Sequence, residues 1–205
     1  MAENKVKIAV LVSGGGTNLQ ALIDSQANGV LNSGEIVLVV SSKPEVYALE
    51  RAKNASIPSV VVSRQDYGDD IDGFGHAILS ELKKHGVELI VLGGFLSMLS
   101  SELCAEYKDR IINVHPSLIP SFCGKGFYGL RVHRAALDYG VKVSGATVHF
   151  VDEEYDHGKI IMQKSVEVED GDTPETLQLR IMKECEQVIL PRAVEKVCAG
   201  LSGSR

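Results

Sequence analysis

Features that mark several common functional classes are missing from this 205-residue chain. No apolar stretch approaches the roughly 20 residues that a membrane-spanning helix needs, so the sequence predicts no transmembrane segment. No run rich in lysine and arginine occurs and the formal net charge is −6, so we expect no nucleic-acid surface. The four cysteines form no C-x-x-C pair and no zinc-like spacing, which predicts free thiols in a reducing compartment and no metal site.

Internal repeats, low-complexity segments and linkers are also absent, which predicts a single domain over residues 1–205. Within it we expect two halves, of about 1–110 and about 111–200. The first residues lead directly into a strand-like run rather than a signal peptide. The expected localisation is therefore cytoplasmic.

What is present is an alternation of strand-length apolar runs with helix-length amphipathic segments. This pattern predicts a Rossmann-like parallel sheet of βαβ units in the N-terminal half. Runs at 144–151 and about 159–168, separated by a short turn, predict an antiparallel hairpin, so the sheet becomes mixed. Thr173 and Pro174 then begin a long C-terminal helix that Pro191 should kink, and we expect the tail from Gly200 to fray. The predicted fold class is α/β. The five strands expected before the hairpin are Val6–Val12, Glu35–Ser41, Val60–Val62, Val87–Leu92 and Ile111–Val114.

A glycine loop, Ser13-Gly14-Gly15-Gly16-Thr17-Asn18, joins the first strand to the first helix. Exposed backbone N–H groups at a helix N-terminus favour an anion. Position 19 is leucine and no Walker lysine follows, so a single phosphomonoester fits better than a dinucleotide or nucleoside triphosphate. The alternative is a tight turn that needs glycine only for its geometry.

A second loop, residues 93–100, leaves the fourth strand at the sheet edge where ligands bind in open α/β folds. Its apolar side chains could form a wall for a flat heterocycle or could simply cap the core. In the fifth strand, Asn113 and His115 project to one side and are suited to stabilising and protonating an oxyanion. The alternative is a core strand whose polar groups bind the following loop. The glycine-rich segment 121–129 is expected to be an irregular, mobile loop.

Five segments in order resemble the phosphoribosylglycinamide formyltransferase family of folate-dependent transformylases: SGGGTNLQALID, GGFLSMLS, INVHPSLIP, TVHFV and DEEYDHGKII. The resemblance covers about Val6 to Val197 and implies the formyltransferase fold, with a phosphate-binding half of about 1–110 and a catalytic and folate-binding half of about 111–200. It implies 10-formyltetrahydrofolate as co-substrate, glycinamide ribonucleotide as acceptor, and formation of a tetrahedral intermediate in de novo purine biosynthesis. Many members carry arginine where this chain has Ser97, and also an arginine near Ile71 for which we find no match.

The resemblance also implies roles for individual residues, which stay predictions at this point. Asn113, His115 and Asp156 would be catalytic, with Asp156 raising the pKa of His115. The remaining histidines (His76, His85, His133 and His157) are expected on the surface or in loops. The ribotide would contact Gly16, Thr17, Asn18, Lys183 and Glu186, with Glu186 suited to its amine. The folate would contact Leu96, Ser97, Met98, Leu99, Asn113, Asp152 and Tyr155. His149, on the neighbouring strand, could order water near the site or be a core histidine, and we expect it to support the site.

The expected partners are small molecules, with no nucleic acid and no membrane, and either a monomer or a homodimer is compatible with the sequence. Two other formyl-folate enzymes are less suitable: a tRNA formyltransferase should carry a further C-terminal domain, and a formyltetrahydrofolate hydrolase an additional N-terminal domain. A non-catalytic binder of phosphorylated sugars would explain the glycine loop but would leave Asn113, His115 and Asp156 without a role.

Overall fold

The computed structural model describes residues 5–203, so the expectations for the first four residues and for Ser204 and Arg205 lie outside it. Within this range every predicted strand is present, with bounds that differ by one or two residues. The seven strands are β1 Val6–Val12, β2 Gly34–Ser41, β3 Ser59–Val61, β4 Leu89–Leu92, β5 Ile111–His115, β6 Val143–Phe150 and β7 Ile160–Glu167.

One sheet contains these strands in the order β3-β2-β1-β4-β5-β6-β7. Its first five strands are parallel, whereas β6 pairs antiparallel with both β5 and β7. The strand order reverses at β1, which lies between β2 and β4, and ligands bind at such a switch point in open sheets. The predicted mixed α/β fold with an antiparallel hairpin is confirmed.

Helices cover both faces of the sheet, which explains the near-continuous apolar runs. Alternate β1 residues enter opposite cores: Ile8 and Val10 pack with one apolar cluster, whereas Ala9 and Leu11 pack with the other. The helices are α1 Thr17–Ala27, α2 Tyr47–Asn54, α3 Ile71–Lys84, α4 Ser101–Glu106, α5 Leu130–Tyr139, α6 Pro174–Ile181 and α7 Gln187–Gly203. None of the helices within residues 5–203 has the length and apolar character needed to traverse a bilayer.

The C-terminal helix begins as predicted and continues differently. Thr173 is the N-cap and forms a reciprocal capping box with Thr176, and Pro174 occupies the first turn. A π-helical segment, Met182–Glu186, separates α6 from α7, and Pro191 lies buried inside α7. The prediction of a frayed tail is wrong up to Gly203, because residues 200–203 continue α7. This helix is held by a buried face that includes Val194 and Cys198.

Candidate active site

A cluster of four polar side chains lies where β5 meets β6. The acidic turn, residues 152–156, follows β6 and folds back over this cluster. The strand register pairs Asn113 with His149. Asp156 lies 3.5 Å from His115 Nδ1 through one carboxylate oxygen, and 3.6 Å from His149 Nε2 through the other. Asn113 Nδ2 lies 3.4 Å from the second oxygen. The structure therefore brings together the three predicted catalytic residues and the predicted supporting histidine.

Backbone carbonyl groups determine which ring nitrogens carry protons. His149 Nδ1 lies 2.8 Å from the Phe150 carbonyl oxygen, which can only accept, so Nδ1 is the donor. In the neutral ring Nε2 then accepts an N–H from Asn113 at 3.2 Å, whereas in the protonated ring Nε2–H faces the Asp156 carboxylate. The two amide hydrogens of Asn113 therefore point towards His149 and Asp156.

The loop after β5 binds the same cluster. His115 Nε2 donates to the Phe122 carbonyl oxygen at 2.9 Å, which leaves Nδ1 facing Asp156. Gly124 N–H donates to Asp156 Oδ2 at 2.9 Å. Phe122 and Asp156 both have left-handed backbone conformations, with φ of 51° and 53°. Such conformations cost non-glycine residues on the order of 1–3 kcal/mol each and persist where surrounding contacts impose them.

Burial decides the charge state of His115. It lowers the pKa of the imidazole, and this effect outweighs the opposing contributions of Asp156 and the Phe122 carbonyl. Asp156 acts in the predicted direction and raises the pKa of His115, but its contribution is smaller than that of burial. Burial would raise the pKa of Asp156, but contacts with His149, His115 and Gly124 N–H outweigh burial and lower it.

The segment after His115 is anchored to β6 and β7 by a hydroxyl network. Thr147 Oγ1 donates to the Ser117 carbonyl oxygen at 2.7 Å and accepts from Ile119 N–H at 3.0 Å. Gln163 Nε2 donates to both Thr147 Oγ1 and the Ile119 carbonyl oxygen, at 2.9 and 3.1 Å. These contacts give the proline-containing segment a defined path even though it has no regular structure.

The predicted phosphate loop has a geometry that requires glycine at one position. Gly16 is the N-cap of α1 with φ of 71°, and a Cβ there would lie 2.7 Å from the Ala48 Cβ. Thr17 and Asn18 begin the helix, so their backbone N–H groups are among those at its N-terminus that lack helical partners.

Asn18 connects this loop to the C-terminal helix. Its Nδ2 donates to Glu186 Oε2 at 2.9 Å across 168 residues, while its buried Oδ1 has no partner among residues 5–203. Burial raises the pKa of Glu186, and the Asn18 contact opposes this shift. Lys183 is exposed on the same π-helical turn. Two predicted ribotide residues thus touch one another directly.

The apolar loop after β4 divides its side chains between solvent and core. Leu96 and Met98 are 65% and 43% exposed, as a wall open to a ligand would require. Phe95 is buried in the core, and Leu99 packs against the core while remaining partly exposed. Ser97 is half-buried. The predicted folate residues in the acidic turn, Asp152 and Tyr155, are exposed.

The sequence did not predict two residues, Ser13 and Arg64, that lie beside the apolar loop. Ser13 Oγ accepts from Leu96 N–H at 3.0 Å and so joins the glycine loop to the apolar wall. Arg64 lies with its guanidinium carbon 5.3 Å from the Phe74 ring centroid, and Phe74 stacks on Phe95. Arg64 is therefore a candidate for the arginine that the resemblance implies near Ile71. Arg64 lies before α3, seven residues from Ile71, so its closeness to the apolar wall is visible only in the fold.

His133 was wrongly predicted to be a surface or loop residue. It lies in α5 with 1% of its surface exposed, and neither ring nitrogen has a hydrogen-bond partner within residues 5–203. Burial, followed by the charge of His115, lowers its pKa to about 4. Within residues 5–203, no group of three or more His, Cys, Asp or Glu side chains is arranged to hold a metal ion.

Comparison with known proteins agrees with this geometry. The family described as formyl transferase matches residues 6–194. The chain is 46% identical to the chicken trifunctional purine biosynthetic protein adenosine-3 and 40% identical to the Arabidopsis thaliana chloroplastic phosphoribosylglycinamide formyltransferase. These matches cover 96% and 94% of this chain but 19% and 65% of the relatives, so the chain spans only part of their length.

Among solved structures, the glycinamide ribonucleotide transformylase 1 of Symbiobacterium toebii superposes with a TM-score of 0.88 at 38% identity. The match covers 96% of this chain and 89% of that one. Together with the family match over residues 6–194, this similarity means that the chain belongs to the formyl transferase family.

Proposed function

We propose that this chain transfers the formyl group of 10-formyltetrahydrofolate to the amine of glycinamide ribonucleotide in de novo purine biosynthesis. The proposal rests on one observation: three features lie close together at the ends of the adjacent strands β1, β4 and β5. These features are the glycine loop, the exposed apolar wall and the Asn113–His115–Asp156 cluster. The names of the relatives and of the solved structures support the same reaction.

In the proposed reaction, the ribotide amine attacks the formyl carbon and the carbonyl electron pair moves to oxygen. Collapse of the tetrahedral intermediate breaks the bond to the folate nitrogen. One proton leaves the amine and one reaches the departing nitrogen, so the reaction is balanced without an external acid or base. The donor is already activated, and the protein needs only to stabilise the oxyanion and relay the proton.

His115 and Asn113 each have one polar atom that can interact with the reacting groups. His115 Nε2 is bound to the Phe122 carbonyl, so we assign proton exchange to Nδ1, where Asp156 stabilises the imidazolium as negative charge develops on the substrate. The 3.4 Å contact of Asn113 with Asp156 is long, so we assign this N–H to the oxyanion. His149 supports Asn113 by holding the other amide hydrogen.

The remaining predicted residues are assigned to the two substrates. The ribotide is assigned to Gly16, Thr17, Asn18, Lys183 and Glu186. The folate is assigned to Leu96, Ser97, Met98, Leu99, Asn113, Asp152 and Tyr155. Glu186 contacts the helix start through Asn18, and its raised pKa would fall when a ligand donor binds, because such a donor favours the charged carboxylate.

Formyl transfer from 10-formyltetrahydrofolate to glycinamide ribonucleotide, followed by absorbance, tests the proposal. His115→Ala and Asp156→Asn should each reduce turnover by roughly 10²–10⁴-fold, the usual range for a general acid–base group. His76→Ala, which changes an exposed histidine on α3, serves as the control. Near-wild-type rates in both cluster variants would overturn the mechanism. Ribotide binding by a wild-type chain with no folate-dependent turnover would favour a non-catalytic binder of phosphorylated sugars.

A further inference from the structure

Helix α2 holds the glycine loop from outside, a feature that the mechanism above does not use. Ala48 N–H donates to the Gly14 carbonyl oxygen at 3.2 Å, and Arg51 Nε donates to the Gly15 carbonyl oxygen at 2.8 Å. Both acceptors are main-chain carbonyls of the loop. Their negative ends are therefore directed towards α2, which leaves the opposite side of the loop to N–H groups that can face an anion.

Arg51 is fixed in this position from three directions. Besides Gly15, its Nη1 donates to Gln20 Oε1 at 2.9 Å, and its guanidinium carbon lies 4.8 Å from the Tyr47 ring centroid. Its Cδ also lies 3.4 Å from the point where a Cβ on Gly16 would be. A planar guanidinium held in this way loses little conformational freedom when a ligand binds beside it.

The charge of Arg51 remains available to a ligand. Both of its hydrogen-bond acceptors are neutral, and the nearby carboxylate of Asp24 accepts from Gln20 Nε2 at 2.8 Å. Arg51 lines a groove of about 430 Å³ that runs along α1 from Thr17, its first residue, and that also includes the Asp24 carboxylate.

We propose that Arg51 is a positioning residue for the phosphate group of the substrate. Through the Gly15 carbonyl it holds the glycine loop in its anion-binding shape, and its positive charge favours phosphorylated over unphosphorylated ligands. The inference rests on the proposed function for the identity of the ribotide. It concerns only the phosphate end and assigns no part of the formyl transfer to Arg51.

Steady-state kinetics of Arg51→Met with glycinamide ribonucleotide and with the unphosphorylated riboside provide the first test. We expect the KM for the ribotide to rise roughly tenfold to a hundredfold, as for loss of a hydrogen bond to a charged group, with kcat within about twofold. The KM for the riboside should not change. Lys53→Met removes the same charge from the exposed face of α2 and should behave as wild type. A ribotide KM for Arg51→Met within about twofold of wild type would overturn the inference.

Arg51→Lys separates position from charge and also serves if the methionine variant does not fold. Lysine keeps the charge but cannot bind Gly15 and Gln20 with the paired geometry of the guanidinium. We expect a ribotide KM between those of wild type and Arg51→Met. A wild-type KM would exclude the anchoring role.

Amide NMR titration with inorganic phosphate removes the dependence on turnover. Phosphate should shift the Gly15 and Gly16 amide signals in the wild type and Lys53→Met, and should do so at higher concentration in Arg51→Lys. If the wild type lacks folate-dependent turnover, the proposed function fails. A weaker response of Arg51→Lys to phosphate would still support the role of Arg51. Identical titrations for all three proteins would overturn it.

Discussion

The protonation state of each histidine in the candidate site depends on burial and on a few neighbouring groups. His115 and His133 are both buried, and burial lowers the pKa of each. They differ in their partners, because His115 binds Asp156 and the Phe122 carbonyl whereas His133 has no partner within residues 5–203. The two residues should therefore report different consequences of acidification.

For His115 we predict an NMR titration below the usual value of 6.5, and a still lower pKa in Asp156→Asn. The carboxylate raises the pKa of His115 against the larger effect of burial, so its removal leaves burial less opposed. In the wild type, the neutral imidazole that can accept the amine proton persists at pH 6.5 and is lost as the pH falls through the lowered pKa. A His115 pKa above 6.5, or one that rises in Asp156→Asn, would contradict this account.

For His133 we predict an effect on stability rather than on the reaction. Its pKa falls from 6.5 unfolded to about 4 folded, so the neutral form stabilises the fold above pH 6.5 and this contribution is lost as the pH falls towards 4. Between pH 7.5 and 5 the loss is roughly 2 kcal/mol.

Urea unfolding of the wild type and His133→Leu at these two pH values measures this contribution. The variant should lose roughly 2 kcal/mol less on acidification, since leucine cannot be protonated. Equal pH dependence in the two proteins would show that burial of neutral His133 does not make stability depend on pH.

At the scale of elements, the turn between β1 and α1 gives a matched pair of glycine substitutions. Gly16→Ala places a side chain at φ of 71° and 2.7 Å from Ala48, whereas a Cβ on Gly15 meets nothing within 4 Å. The left-handed conformation costs about 1–2 kcal/mol and the clash adds to it. We predict that Gly16→Ala lowers the free energy of unfolding by about 2 kcal/mol or more. Denaturant titration should show a much smaller change for Gly15→Ala, and equal losses would refute the geometric argument.

At the scale of the whole molecule, Glu195 of α7 binds the connection between α1 and β2. Its carboxylate accepts from Asn32 N–H, Ser33 N–H and Ser33 Oγ at 2.8 to 2.9 Å, across more than 160 residues. Burial would raise the pKa of Glu195, but these hydrogen bonds outweigh burial and lower it. The stabilisation is therefore present above the usual pKa of about 4.5 and is lost as the pH falls through the lowered value.

We predict that Glu195→Gln lowers the free energy of unfolding by roughly 1–3 kcal/mol at pH 7, because an amide keeps one acceptor oxygen and loses the charge. Chemical denaturation at pH 7 and pH 3 provides the measurement, with the difference between wild type and variant expected to shrink at pH 3. Glu35→Gln, an exposed carboxylate on the adjacent strand β2, should be nearly neutral. A neutral Glu195→Gln would mean that the helix is held by its apolar face alone.

The extent of the domain, the cytoplasmic localisation and the choice between monomer and homodimer stay predictions. The chain covers 65% of a relative named as chloroplastic and 19% of a trifunctional one. Related sequences therefore work in different chain contexts. The family match applies to residues 6–194 and does not extend to other parts of the relatives.

The sequence alone determined those features that depend on local periodicity and stereochemistry. Apolar runs specified the strands, Thr173 specified a helix start, and the glycine loop and Asn113–His115 were correctly expected at strand ends. Parallel strands of βαβ units end at one edge of a sheet, so the approximate neighbourhood of the phosphate loop and the catalytic strand also followed.

The tertiary structure decided every property that depends on contacts between distant residues. It brought Asn18 to Glu186 and Arg51 to Gly15, and it buried His133 without a partner. It also set the net direction of the His115 pKa, because burial lowers this pKa by more than Asp156 raises it, and desolvation depends on everything packed around the imidazole. Local pattern carries no information about such long-range packing, so only the folded arrangement could reveal it.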